Sequence, residues 1–334
     1  MVVAIAPSCS RCLTRKRLQR IPLGACESVR PPIRTCVLHA SATPPGVPLP
    51  NGRQAQDPYP YPSPRGRRHL RSRLGDLAHP LRPRDALAGF RALLLQAVHP
   101  LVMAGFDANS GFRDDPWGRL QRTGEWIDTV TFGSVEDALR AGRRLRRLHA
   151  SLRSGVEPES GLPFRVDDPR LLLWVHCTEV ESFLSTYRRS GGRLSEVEGD
   201  RYVAEMVASA ELLGLDPIVV PTSVQGVKDY YERTYPELRV TATARRNVFW
   251  SFAPPMPRWV QLATPARPAW ASMIGLAASM LPPWARRLYG LPGLPTTDLA
   301  ASVTGRAVRG LLLAAPASLT RGSAHTAALE RLGA

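Results

Sequence analysis

The chain is almost free of lysine. Of its 44 basic residues only Lys16 and Lys228 are lysines, and the rest are arginine. That scarcity excludes a Gly-Lys-Ser/Thr phosphate loop and leaves two positions at most for a Schiff base. Histidine is scarce as well, with seven in 334 residues. The patterns H-E-x-x-H, G-x-S-x-G, G-x-G-x-x-G and the EF-hand loop do not occur, which removes the common signatures of zinc, serine and dinucleotide enzymes and of calcium sensors. Four of the five cysteines (Cys9, Cys12, Cys26, Cys36) crowd the first 36 residues, leaving only Cys177 beyond them. A lone C-x-x-C without a second pair makes a poor zinc site, and the odd count argues for a reducing compartment. Long apolar runs are missing too. Val2–Ala6 is too short for a signal peptide, and Trp270–Leu281 falls well below the roughly 20 residues of a spanning helix. The expectation is a soluble, cytoplasmic protein without an integral membrane segment.

What the chain has in excess is positive charge, a formal +16. Residues 1–80 carry 13 Lys+Arg against 3 Asp+Glu, so most of the excess lies there. The same stretch holds 13 of the 32 prolines, including Pro58-Tyr59-Pro60-Tyr61-Pro62-Ser63-Pro64. With no helical or strand period it reads as a disordered, Pro/Arg-rich arm. The arm interleaves few aromatics with its arginines and the body is only mildly basic, so nucleic acid is not the expected partner.

From Arg84 onward the pattern is helical. Leu87, Phe90, Leu94, Val98, Leu101 and Val102 recur at three and four, predicting a helix over Ala86–Gly105 that Pro100 kinks. Asp115-Pro116 starts a helix to about Phe132. Ser134 with Asp137 forms a capping box for one to Arg153, Asp168-Pro169 caps another to about Arg189, and Ser195 with Glu198 opens a fourth that Gly214 stops. Helical patches follow near Thr222–Arg233, Thr241–Phe252, Trp270–Leu281 and Leu299–Leu313. No segment sustains the alternation of a strand. The expected architecture is all-α, a single helical domain of about eight helices over residues 81–320, with a short tail at 321–334.

Three of the seven histidines fall inside apolar helices. His149 follows Leu145 by four and precedes Leu152 by three, on a stripe with Ala138 and Leu148 in an otherwise arginine-dense helix. His176 shares the stripe Leu172, Leu173, Val180, Phe183, and His99 follows Gln96. An inward histidine is either hydrogen-bonded in the core or holds a ligand. Arg119, Arg122 and Thr123 stand at i, i+3 and i+4, where they form either a solvated basic face or a seat for the carboxylates of an anionic ligand. Inward histidines, an arginine pair and aliphatic helices together suit a porphyrin, which needs an axial nitrogen, cations for its propionates and an apolar slot. A di-iron carboxylate bundle wants repeated Glu-x-x-His, and only a reversed His176-x-x-Glu179 is present.

Five ordered blocks carry a resemblance. They are Leu94-Leu95-Gln96-Ala97-Val98-His99-Pro100, Phe112-Arg113-Asp114-Asp115-Pro116-Trp117-Gly118-Arg119, Leu148-His149-Ala150-Ser151-Leu152-Arg153, Asp168-Pro169-Arg170-Leu171-Leu172-Leu173-Trp174-Val175-His176, and Leu281-Pro282-Pro283-Trp284-Ala285-Arg286-Arg287-Leu288-Tyr289-Gly290-Leu291-Pro292. Over about residues 84–315 the chain resembles the oxygenase family of the latex-clearing rubber oxygenases and the fungal mycophenolate-pathway oxygenase, long catalogued as a domain of unknown function. The resemblance implies globin-like helical packing around haem b, with its iron, and oxidative cleavage of carbon–carbon double bonds by O2. It implies His149 as the proximal iron ligand, Arg119 and Thr123 supporting the haem or its pocket, and His99 and His176 as second candidates for the pocket or the opposite face.

Two departures bear on activity. A lysine of the rubber-cleaving branch is replaced by Arg122, which does not ligate iron comparably. The acid which that branch uses as a base has no counterpart either, since no Asp or Glu occurs between Phe90 and Phe106. His99 is the proton acceptor left nearby. The expected function is a haem-dependent oxygenase acting on a small apolar substrate, an alkene or isoprenoid, in place of polyisoprene. The alternative is a non-catalytic helical protein that binds haem or lipid.

Overall fold

In the first apolar segment, proline decides the geometry. Pro100 has no N–H to give to a preceding turn, and its ring pushes His99 out of the helical region. The segment therefore does not bend gently, as expected, but breaks. Helix α1 (Pro83–Gln96) ends, Ala97–His99 form a turn, and α2 (Pro100–Asn109) departs at 109° with the proline in its first position. The carbonyls freed at the break find distant donors. Tyr289 Oη donates to Leu94 O at 2.7 Å, and Arg239 N donates to Val98 O at 2.9 Å.

The computed structural model describes residues 83–109, 113–291 and 294–314. The expected arm at 1–80, with Cys9, Cys12, Cys26 and Cys36, and the tail at 321–334 lie outside them. After α2 come α3 (Pro116–Phe132), α4 (Val135–Ser151), β1 (Gly155–Val156), β2 (Pro163–Phe164), α5 (Pro169–Arg189), α6 (Glu196–Leu212), α7 (Val224–Thr234), α8 (Ala242–Ser251), α9 (Arg258–Ala263), α10 (Ala266–Ser279), α11 (Pro283–Leu288) and α12 (Pro295–Ala314). The fold is all-α, with twelve helices among the described residues. Nine helical segments are legible in the sequence, and three more come from the break between α1 and α2 and from α9 and α11, which at six residues each are too short to show a period.

The starts of these helices follow from local chemistry. Asp115 Oδ1 accepts from Gly118 N, Asp168 accepts from Arg170 N, and both capping boxes, Ser134/Asp137 and Ser195/Glu198, form reciprocally. Gly214, at φ 89°, ends the turn after α6 in a conformation that favours glycine.

The core has two main parts that meet along α1 and α5. Leu87, Leu94 and Leu95 of α1 pack with Ile274, Ala277, Met280 and Leu281 around α10. Leu172, Leu173, Trp174, Val180 and Phe183 of α5 pack with Tyr202 and Val203 of α6 and Tyr231 of α7. Each fully buried aliphatic side chain contributes about 1.5–3 kcal/mol. Arginines lock the two parts together. Arg91 donates to Glu181, to Ser182 Oγ at 2.8 Å and to Met280 O at 2.9 Å. Arg286 reaches Asp298 Oδ2 at 2.8 Å and Ser279 O at 3.1 Å, and Arg189 reaches Asp298 Oδ1 at 3.0 Å and Met280 O at 2.9 Å. No single described helix is long and apolar enough to cross a membrane, and the α1–α2 pair that reaches the length together is sharply bent.

Candidate functional site

Helices α3 and α4 behave unlike the rest. Each has 17 residues, yet α3 buries none and α4 buries only Gly142. They pack on one another and α4 packs on α6, but neither makes more than marginal contact with α5. The hairpin is fastened at a few points. The Trp117 indole donates to Pro255 O and packs edge-on to Trp270, and Asn109 exchanges hydrogen bonds with the backbone of Arg153. Gly142 lies so close to α6 that a Cβ would stand 2.9 Å from Leu212 O, and Arg146 donates to that same carbonyl. Between these points the inner faces are only half covered. The expected burial of the α4 stripe is corrected accordingly. Leu148 is 51% exposed, because α4 turns the face of Gly142 and His149 toward its neighbours and carries Leu148 outward.

His149 stands two turns beyond Gly142 on that face. Its Nδ1 is sealed from solvent without a hydrogen-bond partner. Burial lowers its pKa and Arg119 adds to the shift, while Asp167 opposes it. The ring is therefore a neutral imidazole near pH 7. Asp167 is itself engaged by Arg165 at 2.7 and 2.9 Å.

Arg119, on α3, is the positively charged neighbour of His149. Its guanidinium lies 4.2 Å above the centre of the Phe106 ring and has no carboxylate partner among the described residues. Burial, with Arg122 adding, brings its pKa down to about 10. A desolvated guanidinium without a counter-ion is a seat for an anion. The rest of the expected cluster stays outside. Arg122 is exposed and paired with Asp115 at 3.1 Å, and the exposed Thr123 donates to Arg119 O.

The other two histidines occupy separate places. His99 sits in the α1–α2 break, 4% exposed, its ring 5.9 Å from that of Trp174. Its Nδ1 is unpartnered, and its Nε2 is 3.8 Å from Glu237. Burial first, and Arg170 second, hold its pKa down to about 4. Its charged neighbours are Glu237, Arg170, Asp168 and Arg239, none of them shared with His149. His176, on α5, is 4% exposed and is lowered to about 4 by burial alone.

Two acids of this region carry no expectation from the sequence as proton-active groups. Glu179, one turn after His176, is raised to about 7, and Asp128 on α3 to about 6, both by burial. Neither follows a recognisable motif. Only the reversed His176-x-x-Glu179 spacing singles out Glu179. Among the described residues no three of His, Cys, Asp and Glu converge as a metal-binding group. A groove of about 490 Å³ near Tyr187, Arg193 and Glu198 contains none of the candidate residues.

A porphyrin asks for a neutral imidazole with a free nitrogen, an unpaired cation and an apolar slot. His149 and Arg119 supply the first two. The half-covered inner faces of α3 and α4, with Met103 and Phe106 of α2 nearby in sequence and packing, suit the third. The residues fit the group.

Residues 80–313 match the family described as ER-bound oxygenase mpaB/B'/Rubber oxygenase, catalytic domain. The chain belongs to this oxygenase family. The matched span runs from before α1 nearly to the end of α12, so α3, α4 and α5 lie wholly inside the catalytic domain. No curated protein and no solved structure matches the chain.

Proposed function

We propose that this oxygenase-family domain is haem b-dependent and uses O2 on a small apolar substrate, an alkene or isoprenoid in class. The observation that carries the reading is the pair of Arg119, half-buried without a carboxylate among the described residues, and His149, half-buried with a sealed and unpartnered Nδ1. His149 would hold the iron and Arg119 a propionate, with the Phe106 ring shielding the guanidinium from water. Haem, when bound, supplies the metal at which O2 is activated.

The remaining chemistry belongs to the chain. Burial keeps His149 neutral, so its nitrogen is available without first losing a proton. Arg119 stays charged even with its lowered pKa, because about 10 still lies well above neutrality. Met103 and Phe106 of α2 offer an apolar wall for the substrate. Arg122 and Thr123 lie on the outer side and serve the hairpin, not the reacting atoms.

An absorption spectrum after haem b addition tests the reading. A Soret band is expected, lost in His149→Ala and kept in His99→Ala. A protein that remains colourless overturns it. Oxygen uptake with alkene substrates separates an oxygenase from the alternative, a non-catalytic haem or lipid carrier.

A further inference from the structure

Between Glu237 and Asp298 the chain holds no acid. Residues 238–297 carry seven arginines and neither Asp nor Glu, in a protein with 28 acids. Helices α8, α9, α10 and α11 lie in this stretch. So do three large apolar side chains that stand in solvent, Phe249 at 81%, Trp259 at 68% and Leu262 at 88% exposed. At that exposure a side chain projects clear of its neighbours and does not line a groove.

These side chains surround one knot of contacts. Trp270 Nε1 donates to Ser251 O, at the end of α8, at 2.8 Å, and its ring meets that of Trp117 edge-on at 5.0 Å. Trp117 Nε1 donates in turn to Pro255 O at 2.9 Å. The end of α8, the loop into α9 and the start of α3 are thereby tied together, with Phe249 and Trp259 a few residues from the tied points. Trp117 and Leu120, one turn apart on α3, are exposed as well. Arginines accompany the apolar groups. Arg245 stands one turn before Phe249, Arg258 one turn before Leu262, and Arg267 is held beside α9 by donating to Gln261 Oε1 at 3.3 Å. All three are exposed. Two acids from other elements approach α8. Asp107 lies 3.5 Å from Arg246, and Glu159 accepts from Ala242 N at the opposite end from Phe249.

Projecting aromatic and aliphatic side chains among arginines fit an anionic lipid surface. The rings and Leu262 would enter the acyl boundary, while the arginine stems lie along it and the guanidiniums stay with the phosphates. Other occupants lack the charge. Residues 1–80 carry 13 Lys+Arg against 3 Asp+Glu, and a second copy would bring a like set of arginines onto this one. Exposure alone is not what marks the surface, because the exposed Val197, Ile218 and Val219 are interleaved in sequence with Glu196, Asp200 and Asp216. We propose that the α8–α9 surface docks the protein peripherally on a bilayer containing anionic phospholipid, with Phe249, Trp259 and Leu262 inserted and Arg245, Arg258 and Arg267 at the headgroups. Docking needs no haem, so it stands or falls apart from the reading above.

Cosedimentation of the full chain with lipid vesicles tests it. Binding is expected to vesicles of phosphatidylcholine and phosphatidylserine at about 7:3, weakened about tenfold or more on phosphatidylcholine alone and reduced by added salt. Trp259→Ser and Leu262→Ser should each weaken it by about tenfold, and Arg258→Ser combined with Arg267→Ser by a similar factor. These side chains are exposed, so the substituted chains should fold like the parent. Ile218→Ser, which removes an equal exposure beside acids, should bind as the parent does. Vesicles brominated in their acyl chains should quench the fluorescence of the bound protein, and Trp259→Phe, which still binds, should lose most of that quenching. No binding to the anionic vesicles, unchanged binding after the Trp259 and Leu262 substitutions, or an equal loss in Ile218→Ser overturns the docking surface. So does a dimer in sedimentation that Trp259→Ser and Leu262→Ser dissolve, which would make the occupant a second copy.

Discussion

The α1–α5–α10 side of the domain and the α3–α4 hairpin use the same materials, arginines among aliphatic residues, to opposite ends. On the first side Arg91, Arg189 and Arg286 each finish on a carboxylate and on a main-chain carbonyl. On the second, Arg119 finishes on the face of Phe106, near a histidine whose Nδ1 has no partner among the described residues. A guanidinium held by a carboxylate and a main-chain carbonyl is a fastening. One without a counter-ion can receive a ligand's negative charge. The same distinction divides the acids, since Glu181 and Asp298 are paired whereas Glu179 has no partner among the described residues.

The sharpest way to break this comparison is to remove one arginine from each side. Arg91→Ala strands Glu181 and the Met280 carbonyl, and it should cost about 3–5 kcal/mol in chemical denaturation. Arg119→Met should leave the denaturation midpoint unchanged or higher, while haem retention falls. Equal losses of stability from the two would erase the distinction.

A smaller effect should follow pH. The pKa of Glu179 in the folded chain, about 7, stands above its ordinary 4.5. Its cost is therefore absent below pH 4.5, grows as pH rises, and is complete above 7. Glu179→Gln should stabilise the protein at pH 8 by roughly 1–3 kcal/mol and leave it unchanged at pH 4.5. His99 and His176 act in the other direction. Both are depressed from 6.5 to about 4, so the stability they contribute is present above pH 6.5 and is lost as pH falls toward 4. Thermal melts of the unsubstituted chain should therefore peak near pH 6, and those of Glu179→Gln should stay level to higher pH. The least effect belongs to Arg122→Ala, on the solvent side of the hairpin, where no measurable change in Tm or in the haem spectrum is expected.

The helix starts were legible from neighbours in sequence. Asp115-Pro116, Ser134/Asp137, Asp168-Pro169 and Ser195/Glu198 all act within three residues of themselves, so their chemistry is complete in the local string. The division of the arginines was not. Arg119 and Arg122 share a helical face, and only the position of Asp115 draws one outward while Phe106 takes the other inward. Arg286 looked like part of a family block and proved to be a fastening, because its partner Asp298 lies on another helix. The β1–β2 hairpin shows no strand period in the sequence. Its strands have two residues each, and its buried Glu157 is held by Ser160 and by the distant Arg239.

The break between α1 and α2 has a consequence in time. The carbonyl of Val98 at the break waits for the N–H of Arg239, about 140 residues later in the chain. At ribosomal rates of roughly 5–20 residues per second, that donor arrives on the order of ten seconds after the acceptor. Until then the corner between α1 and α2 lacks this hydrogen bond. Arg239→Pro, which removes this donor, should prolong that interval in a pulse-proteolysis experiment on nascent chains.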